Sequence, residues 1–244
     1  MNQVNNYSIR IIKNENELTQ AFALRYHVYK KTYPLCTAGL QQPFEIDEFD
    51  QLSIHIGLYK NEGKGDNLIG CSRFILPAAF ANQFQHLQVN NHPFLKKDLK
   101  MSTTCKLAFS KRLPDALSER LNCFWNELEA TNISYCEVGR FIISEEHRSI
   151  SLSSFFVQGM FAICESLGIV YSFFTCSQHH ISFYSRFGLK KFPGLEPYTD
   201  AIFGAGYAIV YGTDLSKIIN GIPSISALIE QIKGSHEICL SKVA

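Results

Sequence analysis

Seven charged residues that lie inside or against apolar sequence constrain the fold of this chain more than any other feature. An ion held away from water is costly unless it is paired and hydrogen-bonded, so these side chains must meet. They are Arg25 in LRYHVY, Glu45, Asp47 and Asp50 in EIDEFD, Arg73 in GCSRFILP, and Glu137 and Arg140 in EVGRF. We expect them to converge on one cleft. There they would bind a small polar substrate, or form a salt-bridge network that fixes the N-terminal helix, or do both.

The composition describes a chain with a sizeable core and no strong charge bias. Its 244 residues are 46% hydrophobic and carry a net charge of +1, which suits one domain and does not indicate nucleic-acid binding. The N-terminal MNQVNNYSIR is polar, which predicts no secretory signal, and no apolar run reaches the ~18–20 residues of a membrane span. The eight cysteines form no CxxC pair. We therefore expect reduced thiols in a cytoplasmic protein rather than a catalytic cysteine or a disulfide framework.

Hydrophobic periodicity predicts an α/β fold with a mixed central sheet flanked by helices. The predicted strands are 7–13, 52–60, 68–76, 135–143, 169–176 and a last one at 201–211. The predicted helices are 15–31, 113–130, 151–167, 178–187 and a terminal one at 218–232. We predict a single domain over 1–244, in which 78–132 is a helical insertion of unclear role.

Both halves of the chain resemble known acyltransferases. In the second half, the strand CEVGRFIIS, the loop EEHRSIS, a helix, a further strand and FYSRFGLKKF resemble the core of the GNAT N-acyltransferase fold. In the first half, R-x-x-V-Y, E-x-D-x-x-D and G-x-x-R-x-x-x-P, followed by E-x-x-R, resemble the autoinducer-synthase branch in their order. That branch holds acyl-homoserine-lactone synthases and N-acyl amino acid synthases. The SIH that follows the acidic motif, and the length, are most similar to the latter and to exosortase-associated acyltransferases.

The resemblance implies transfer of a fatty acyl chain from acyl carrier protein to the amine of a small acceptor, an amino acid above all. The loop Arg148–Ser153 lacks the glycines that members using CoA carry, which favours the phosphopantetheine of acyl carrier protein over acyl-CoA as donor. No tightly bound cofactor and no metal is predicted, since His179 and His180 are adjacent and lack a further ligand at helical spacing. The predicted donor-binding residues are Phe141, Ile142 and Ile143, through their backbone N–H groups, and Arg148, Ser149 and Ser151 at the start of a helix.

The resemblance also implies roles in catalysis. Glu137 is the candidate base, directly or through water, and its alternative is pairing with Arg140. Tyr184 is a candidate acid, and its alternative is packing in the core. The predicted substrate-binding residues are Arg25, Glu45, Asp47, Asp50, Arg73 and Arg140, of which Arg73 or Arg140 would bind an acceptor carboxylate. Residues 137 and 140 face opposite sides of a regular strand, so a shared site requires a bulge, for which Gly139 is the plausible place.

Some features remain open to two interpretations. Positive charge in the middle segment either covers a solvated face or docks acidic acyl carrier protein; it comprises Lys96, Lys97, Lys100, Lys106, Lys111 and Arg112. Phenylalanines either pack the core or line a tunnel for an acyl chain; they are Phe155, Phe156, Phe161, Phe173 and Phe174. The alternative functions are acyl-homoserine-lactone synthesis from S-adenosylmethionine, CoA-dependent acetyl transfer, and non-catalytic binding of an acyl chain.

Overall fold

A nine-stranded mixed sheet forms the centre of the molecule. The structure, a computed structural model, describes residues 7–62, 65–89, 92–95, 106–200, 203–212 and 237–239. The strands are β1 (Tyr7–Ile11), β2 (Ser53–Asn61), β3 (Asp66–Ile75), β4 (Tyr135–Ile143), β5 (Tyr171–Ser177), β6 (Lys190–Lys191), β7 (Tyr198–Asp200), β8 (Gly204–Gly212) and β9 (Glu237–Cys239). Their order is β6-β8-β5-β4-β3-β2-β1-β9, with β7 paired to β8. The β4–β5 pair is parallel, and the other described pairs are antiparallel.

Helices cover both faces of this sheet. They are α1 (Glu15–Thr32), α2 (Ala78–Ala81), α3 (Asp115–Ala130), α4 (Ile150–Ser166) and α5 (Ile181–Ser185). On the face that carries Tyr135, Trp125 of α3 stacks on the Tyr135 ring, with centroids 6.2 Å apart. On the opposite face, Cys164 of α4 is buried beside Cys136: burial raises the pKa of the Cys164 thiol, and the neighbouring Cys136 raises it further. Because Tyr135 and Cys136 are consecutive in β4, α3 and α4 lie on opposite sides of the sheet.

Helix α1 begins at an N-cap and presents a mixed stripe to the sheet. The Asn14 side chain accepts a hydrogen bond from the Glu17 N–H at 2.9 Å, which starts the helix. The buried residues that follow are Leu18, Ala21, Phe22, Arg25 and Tyr29. Four of these are apolar or aromatic and pack in a second core cluster beside Cys71 and Ile142 of the sheet. The fifth places a guanidinium group between the helix and the sheet, on the face that also carries α3.

The strands β4 and β5 separate, and this creates the main cleft. Their parallel pairing covers Tyr135 to Glu137 in β4 and Tyr171 to Phe173 in β5. Both strands continue beyond these residues, β4 to Ile143 and β5 to Ser177. The facing edges of their carboxyl-terminal halves therefore have no strand between them in the described part of the chain, and a gap runs through the sheet.

The predicted fold class is confirmed, and the differences lie in short elements. The strands β7 and β9 have three residues each, too few for a recognisable period, and β9 rather than 201–211 is the last strand in the chain. The predicted terminal helix at 218–232 lies outside the described residues. None of the described helices combines the length and apolar character that crossing a bilayer requires.

Candidate active site

The structure brings six of the seven charged residues into one ion-pair network between α1 and the sheet. The members of this ion-pair network are Arg25, Glu45, Asp47, Asp50, Arg73 and Arg140. Three guanidinium groups face three carboxylates, so the charges balance within the network. Arg25, Asp50 and Arg73 are each only 1% exposed.

Asp50 is the centre of the network. Arg25 donates to both of its carboxylate oxygens, at 2.7 and 3.0 Å, and Arg73 donates to Oδ1 at 2.6 Å. Arg73 also holds Asp47 in bidentate fashion, with both distances at 2.6 Å. Arg140 donates to Glu45 at 2.7 Å and to Asp47 at 2.8 Å. These directional contacts fix the arginines in place, as buried ion pairs require.

Electrostatics in the network keep Asp47 and Asp50 ionised. Burial alone would raise the pKa of Asp50, but Arg25 and Arg73 outweigh it and hold that pKa well below the usual range. The pKa of Asp47 is lowered too: burial opposes the shift, and Arg73 and Arg140 cause it. Behind them, His55 Nε2 lies 3.0 Å from the Asp50 carbonyl oxygen, and burial lowers the pKa of this histidine to about 4.

A bulge in β4 places Glu137 and Arg140 in the same site. The register opposite β3 shifts between Cys71 and Arg73, which pair with Ile142 and Gly139. Arg140 itself has a φ of 55°, in the left-handed region that few side chains adopt. The predicted bulge is therefore present, and its left-handed residue is Arg140 rather than Gly139.

Glu137 is buried beside the network without belonging to it. Its Oε2 accepts a hydrogen bond from the Phe109 N–H at 3.1 Å. Burial raises the pKa of its carboxyl group, while Arg73 and then the Phe109 N–H oppose the rise. A raised pKa suits a group that must take up a proton during a reaction.

Gly139 keeps the space between Glu137 and Arg73 open. A Cβ at this position would lie 3.6 Å from Arg73 Nε and 3.7 Å from Glu137 Oε1. Arg73 Nε is buried and has no hydrogen-bond partner among the described residues. An unpaired donor and a carboxylate oxygen therefore face the same small space, which suits a polar group of a ligand.

One cleft of about 770 Å³ opens at the gap between β4 and β5 and includes Glu137, Gly139 and Arg140 in its wall. On the α1 side its walls are polar and aromatic. Tyr29, Tyr33, Phe203 and Tyr207 line it there, beside Arg112 and Arg140. On the α4 side the lining includes a group of apolar residues, namely Val138, Val157, Met160, Phe161, Phe174 and Leu189. The cleft thus joins a charged end to an apolar end through the sheet.

The phenylalanines divide between the two predicted roles. Phe161 and Phe174 line the cleft. Phe156 and Phe173 are fully buried, and Phe155 is 7% exposed. These last three pack in the main core cluster. They are not among the residues that line the cleft.

Most of the predicted donor residues line the cleft. Phe141, Ile142 and Ile143 line it, as do Arg148 and Ser149. Arg148 Nη2 donates to the Ile143 carbonyl oxygen at 3.1 Å, and the Ser149 hydroxyl caps α4 by accepting from the Leu152 N–H at 3.1 Å. The positive end of the α4 dipole therefore faces the cleft.

Ser151 does not share this position. It is exposed and is not among the residues that line the cleft, whereas Ser153 lines it. Ser149 is the N-cap, and the residue four positions later returns to the same side of a helix, while the residue two positions later points away. Helix phase therefore favours Ser153 over the predicted Ser151.

Tyr184 lines the cleft near β5. Its ring packs against Phe174, with centroids 4.6 Å apart, and burial raises the pKa of its hydroxyl. No described residue forms a hydrogen bond with that hydroxyl. The tyrosine is therefore packed, as one interpretation expected, and also lines the cleft, as the other required.

The structure adds two contributions from 78–132 that sequence reasoning missed. One is the Phe109 N–H on Glu137, which no side-chain pattern reveals. The other is Arg112, which lines the cleft, although its sequence position placed it in a positively charged patch. The other described members of that patch, Lys106 and Lys111, form ion pairs with Glu129 and Glu48. Lys96, Lys97 and Lys100 lie outside the described residues.

Comparisons with known proteins agree with this geometry. Residues 24–104 match the family described as Acetyltransferase (GNAT) domain. FeeM, an N-acyl amino acid synthase from uncultured soil microbes, has a similar structure, with a TM-score of 0.51 and 12% identity over 88% of this chain and 93% of that one. The CoA-dependent acyl-homoserine lactone synthase BjaI, solved with SAM and isopentyl-CoA, gives a TM-score of 0.55 and 18% identity over 90% and 92%.

A third similar structure is the AHL synthase LasI, with a TM-score of 0.50 and 13% identity over 86% of this chain and 89% of that one. The search of curated proteins finds no matching sequence. The resemblance inferred from the sequence motifs is thereby confirmed. The chain has the GNAT fold, to which these N-acyl amino acid and acyl-homoserine lactone synthase structures are similar, and the domain match with this fold indicates an acyltransferase.

Proposed function

We propose that this protein transfers a fatty acyl chain from acyl carrier protein to the amine of a small acceptor, an amino acid. The observation that carries the proposal is the cleft of about 770 Å³ at the gap between β4 and β5. Its charged end, beside Glu137 and Arg140, suits a polar amine, and its apolar end, beside Met160 and Phe161, suits an acyl chain. The two substrates would meet in the gap, where β4 offers its unpaired edge.

The proposed reaction is attack of the amine on a thioester. Glu137 takes a proton from the acceptor's ammonium group, directly or through a water that Arg73 Nε also binds. The free amine forms a bond to the thioester carbonyl carbon, and backbone N–H groups of Phe141 to Ile143 stabilise the oxyanion. The C–S bond then breaks, the leaving thiolate takes a proton from Tyr184, and the nitrogen gives its second proton to the Tyr184 oxygen, which restores the hydroxyl; the proton on Glu137 passes to solvent. The amine keeps the acyl group as an amide.

The residues around the N-terminus of α4 support acyl carrier protein as the source of the acyl chain. Arg148 and the N-terminus of α4, capped by Ser149, could hold the single phosphate of phosphopantetheine. The loop has no glycine that would let its backbone approach a pyrophosphate closely. Because BjaI is CoA-dependent, acyl-CoA is the alternative donor to be tested against acyl carrier protein.

We also propose that the whole chain forms one catalytic domain that acts in the cytoplasm. The 78–132 segment supplies a backbone donor to Glu137 and an arginine to the cleft, so it contributes to the site. The described cysteines include Cys36, Cys71, Cys123 and Cys136, which are all free thiols, as a reducing compartment would keep them.

Mass spectrometry of organic extracts from cells that express the chain tests this function. We expect new N-acyl amino acid ions, whose masses give the acceptor and the acyl length together. A Glu137→Gln variant, soluble and folded by circular dichroism, should lower the product by about 10²–10⁴-fold. Acyl-homoserine lactone ions together with methylthioadenosine would replace our proposal by the lactone synthase.

Purified protein then separates the donors. Given matched acyl-acyl carrier protein and acyl-CoA, we expect a kcat/KM at least about tenfold higher for the carrier protein, a difference of ~1.4 kcal/mol. Equal values would contradict the proposed donor. Release of no thiol from either donor, with any of the twenty amino acids, would contradict acyl transfer itself.

A further inference from the structure

We propose that Arg112 binds the carboxylate of the acceptor and thereby selects amines that carry a carboxylate next to the amine. This inference rests on the proposed acyl transfer and names the acceptor subsite within it. The sequence pointed instead to Arg73 or Arg140 as the residue that would bind this carboxylate. The geometry of the guanidinium groups makes Arg112 the better candidate.

Arg73 and Arg140 of the ion-pair network have few guanidinium N–H groups free to bind a ligand. Both Nη atoms of Arg73 donate to Asp47 or Asp50. Arg140 uses Nε and Nη2 on Glu45 and Asp47, which leaves Nη1. A bidentate contact with a carboxylate needs two parallel N–H groups of one guanidinium, and neither arginine has two nitrogens free for it.

Arg112 has the opposite arrangement. Its Nε donates to Asp200 at 2.8 Å, and that carboxylate is fully buried. No described residue accepts a hydrogen bond from either Nη atom. The side chain is 22% exposed, against 1% for Arg73, and it lines the cleft. Asp200 thus holds one edge of the guanidinium while the two Nη groups remain available to a ligand.

The contacts around Arg112 fix its direction. Its guanidinium carbon lies 5.2 Å from the centre of the Phe203 ring, which limits its motion. The Phe203 N–H donates to the other Asp200 oxygen at 3.1 Å, so ring and guanidinium are held by the same carboxylate. A guanidinium fixed in this way loses little conformational entropy when it binds a carboxylate.

Arg112 also lies near the candidate base. Burial raises the pKa of the Glu137 carboxyl, and Arg112 is among the positive charges that oppose this rise. Both residues line the same cleft. In an α-amino acid the amine and the carboxylate are attached to one carbon, so a carboxylate on Arg112 would direct the amine toward Glu137. This arrangement predicts that removal of the carboxylate weakens acceptor binding more than it slows the chemical step.

Kinetics with three forms of one acceptor test the inference. The acceptors are the amino acid identified in the cell extracts, its methyl ester and its decarboxylated amine, and the readout is thiol release from the acyl donor. For the wild type we expect the lowest KM with the free acid. For Arg112→Gln we expect the KM of the free acid to rise about 10- to 100-fold, as for loss of a charge-assisted contact, while the KM of the ester changes less than about threefold.

Two further variants control for folding and for loss of charge. Arg112→Lys keeps the charge and can still contact Asp200, but it lacks the two parallel N–H groups of a guanidinium. We therefore expect its affinity for the free acid to lie between those of Arg112→Gln and the wild type. Arg120→Gln removes an exposed arginine that hydrogen-bonds to the Gly194 carbonyl oxygen, away from the cleft, and should leave every KM unchanged. Thermal unfolding of each variant shows whether the native fold persists.

The outcomes separate this inference from the function on which it rests. Equal KM values of the wild type for acid and ester, with normal turnover, would refute the Arg112 subsite and leave acyl transfer intact. An Arg112→Gln variant that raises the KM of the acyl donor instead of the acceptor would also refute it. If no amine promotes thiol release by the wild type, acyl transfer itself fails.

Discussion

The two ends of the cleft are built by different physical means. At the charged end Arg140 lines the cleft, and behind it the three arginines and three carboxylates of the ion-pair network hold one another through hydrogen bonds such as the 2.6 Å contact between Arg73 and Asp47. At the apolar end, Val157, Met160 and Phe161 line the cleft with side chains that offer only van der Waals contact. Directional contacts fix geometry and tolerate little change, whereas apolar packing tolerates exchanges that conserve volume. We therefore expect large effects from substitutions at the charged end and graded effects at the other.

The largest expected effect is on stability, at the centre of the ion-pair network. Asp50→Asn removes the charge that pairs with Arg25 and Arg73, and it should lower the free energy of unfolding by about 3–5 kcal/mol in urea titrations. Glu145→Gln breaks an exposed pair with Lys31, in which both side chains are more than two thirds exposed, and should leave the urea midpoint unchanged. A similar midpoint for both variants would show that the network does not support the fold.

The next effect concerns pH and His55, which lies behind the network. Its folded-state pKa of about 4 is below the ordinary value of 6.5, so the unfolded chain binds the proton first. Stability is then full above about pH 6.5 and falls by roughly 3 kcal/mol as the pH is lowered to about 4. His55→Gln should abolish this loss, measured as the free energy of unfolding in urea at several pH values.

Two comparisons sharpen the assignment to His55. The exposed His179, changed to Gln, should leave the wild-type loss intact. Asp47 and Asp50 have lowered pKa values, so their stabilising contribution is lost below the ordinary range near 3.8, outside this window. A loss of the same size in the His55 variant would assign the effect to other groups.

Smaller effects are expected at the N-terminus of α4, where we propose that the acyl donor binds. Ser149→Ala removes the cap of α4 and should cost about 1 kcal/mol of stability. It should also raise the KM of the acyl donor, whereas Ser151→Ala, at an exposed position away from the cleft, should leave that KM unchanged. The reverse pattern in donor titrations would restore Ser151 as the donor-binding residue.

The smallest effect should appear as a change in acyl length. Met160→Phe adds volume to the apolar end, and each methylene that no longer fits should lower kcat/KM about fourfold, from ~0.8 kcal/mol per group. Phe161→Leu should shift the preference toward longer chains. Competition between donors of different length measures both variants. Changes in acceptor KM of the same size in the two variants would show that the two ends are not independent.

Sequence reasoning identified the members of the charged end but not how they connect. Burial of charge in apolar segments predicts that Arg25, Asp50 and Arg73 meet, and they do. It does not reveal which donor faces which acceptor, so Arg140 and Arg73 remained candidates for the carboxylate. Arg112 was assigned to a charged patch because its partner, Asp200, is 88 residues further along the chain and in a strand too short to predict.

Predictions of local geometry also succeeded at one position and failed at another. The bulge followed from one conflict in the strand pattern between Glu137 and Arg140, because strand periodicity is strict. The choice between Ser151 and Ser153 depended on where α4 begins, and a shift of one residue in a helix start rotates every side chain by about 100°. Elements with a clear period were therefore predicted well, while the functional direction of single side chains required coordinates.

The ion-pair network also has a consequence for the order of folding. Its contacts join residues 20 positions apart, as between Arg25 and Glu45, and 95 apart, as between Arg140 and Glu45. A nascent chain that has not yet produced β4 holds Glu45 and Asp47 without Arg140. Contacts between residues so far apart in sequence form slowly, because the entropy of closing a large loop is lost before the contact contributes favourable free energy. The ion-pair network is therefore completed only when the sheet is, which ties maturation of the site to the last steps of folding.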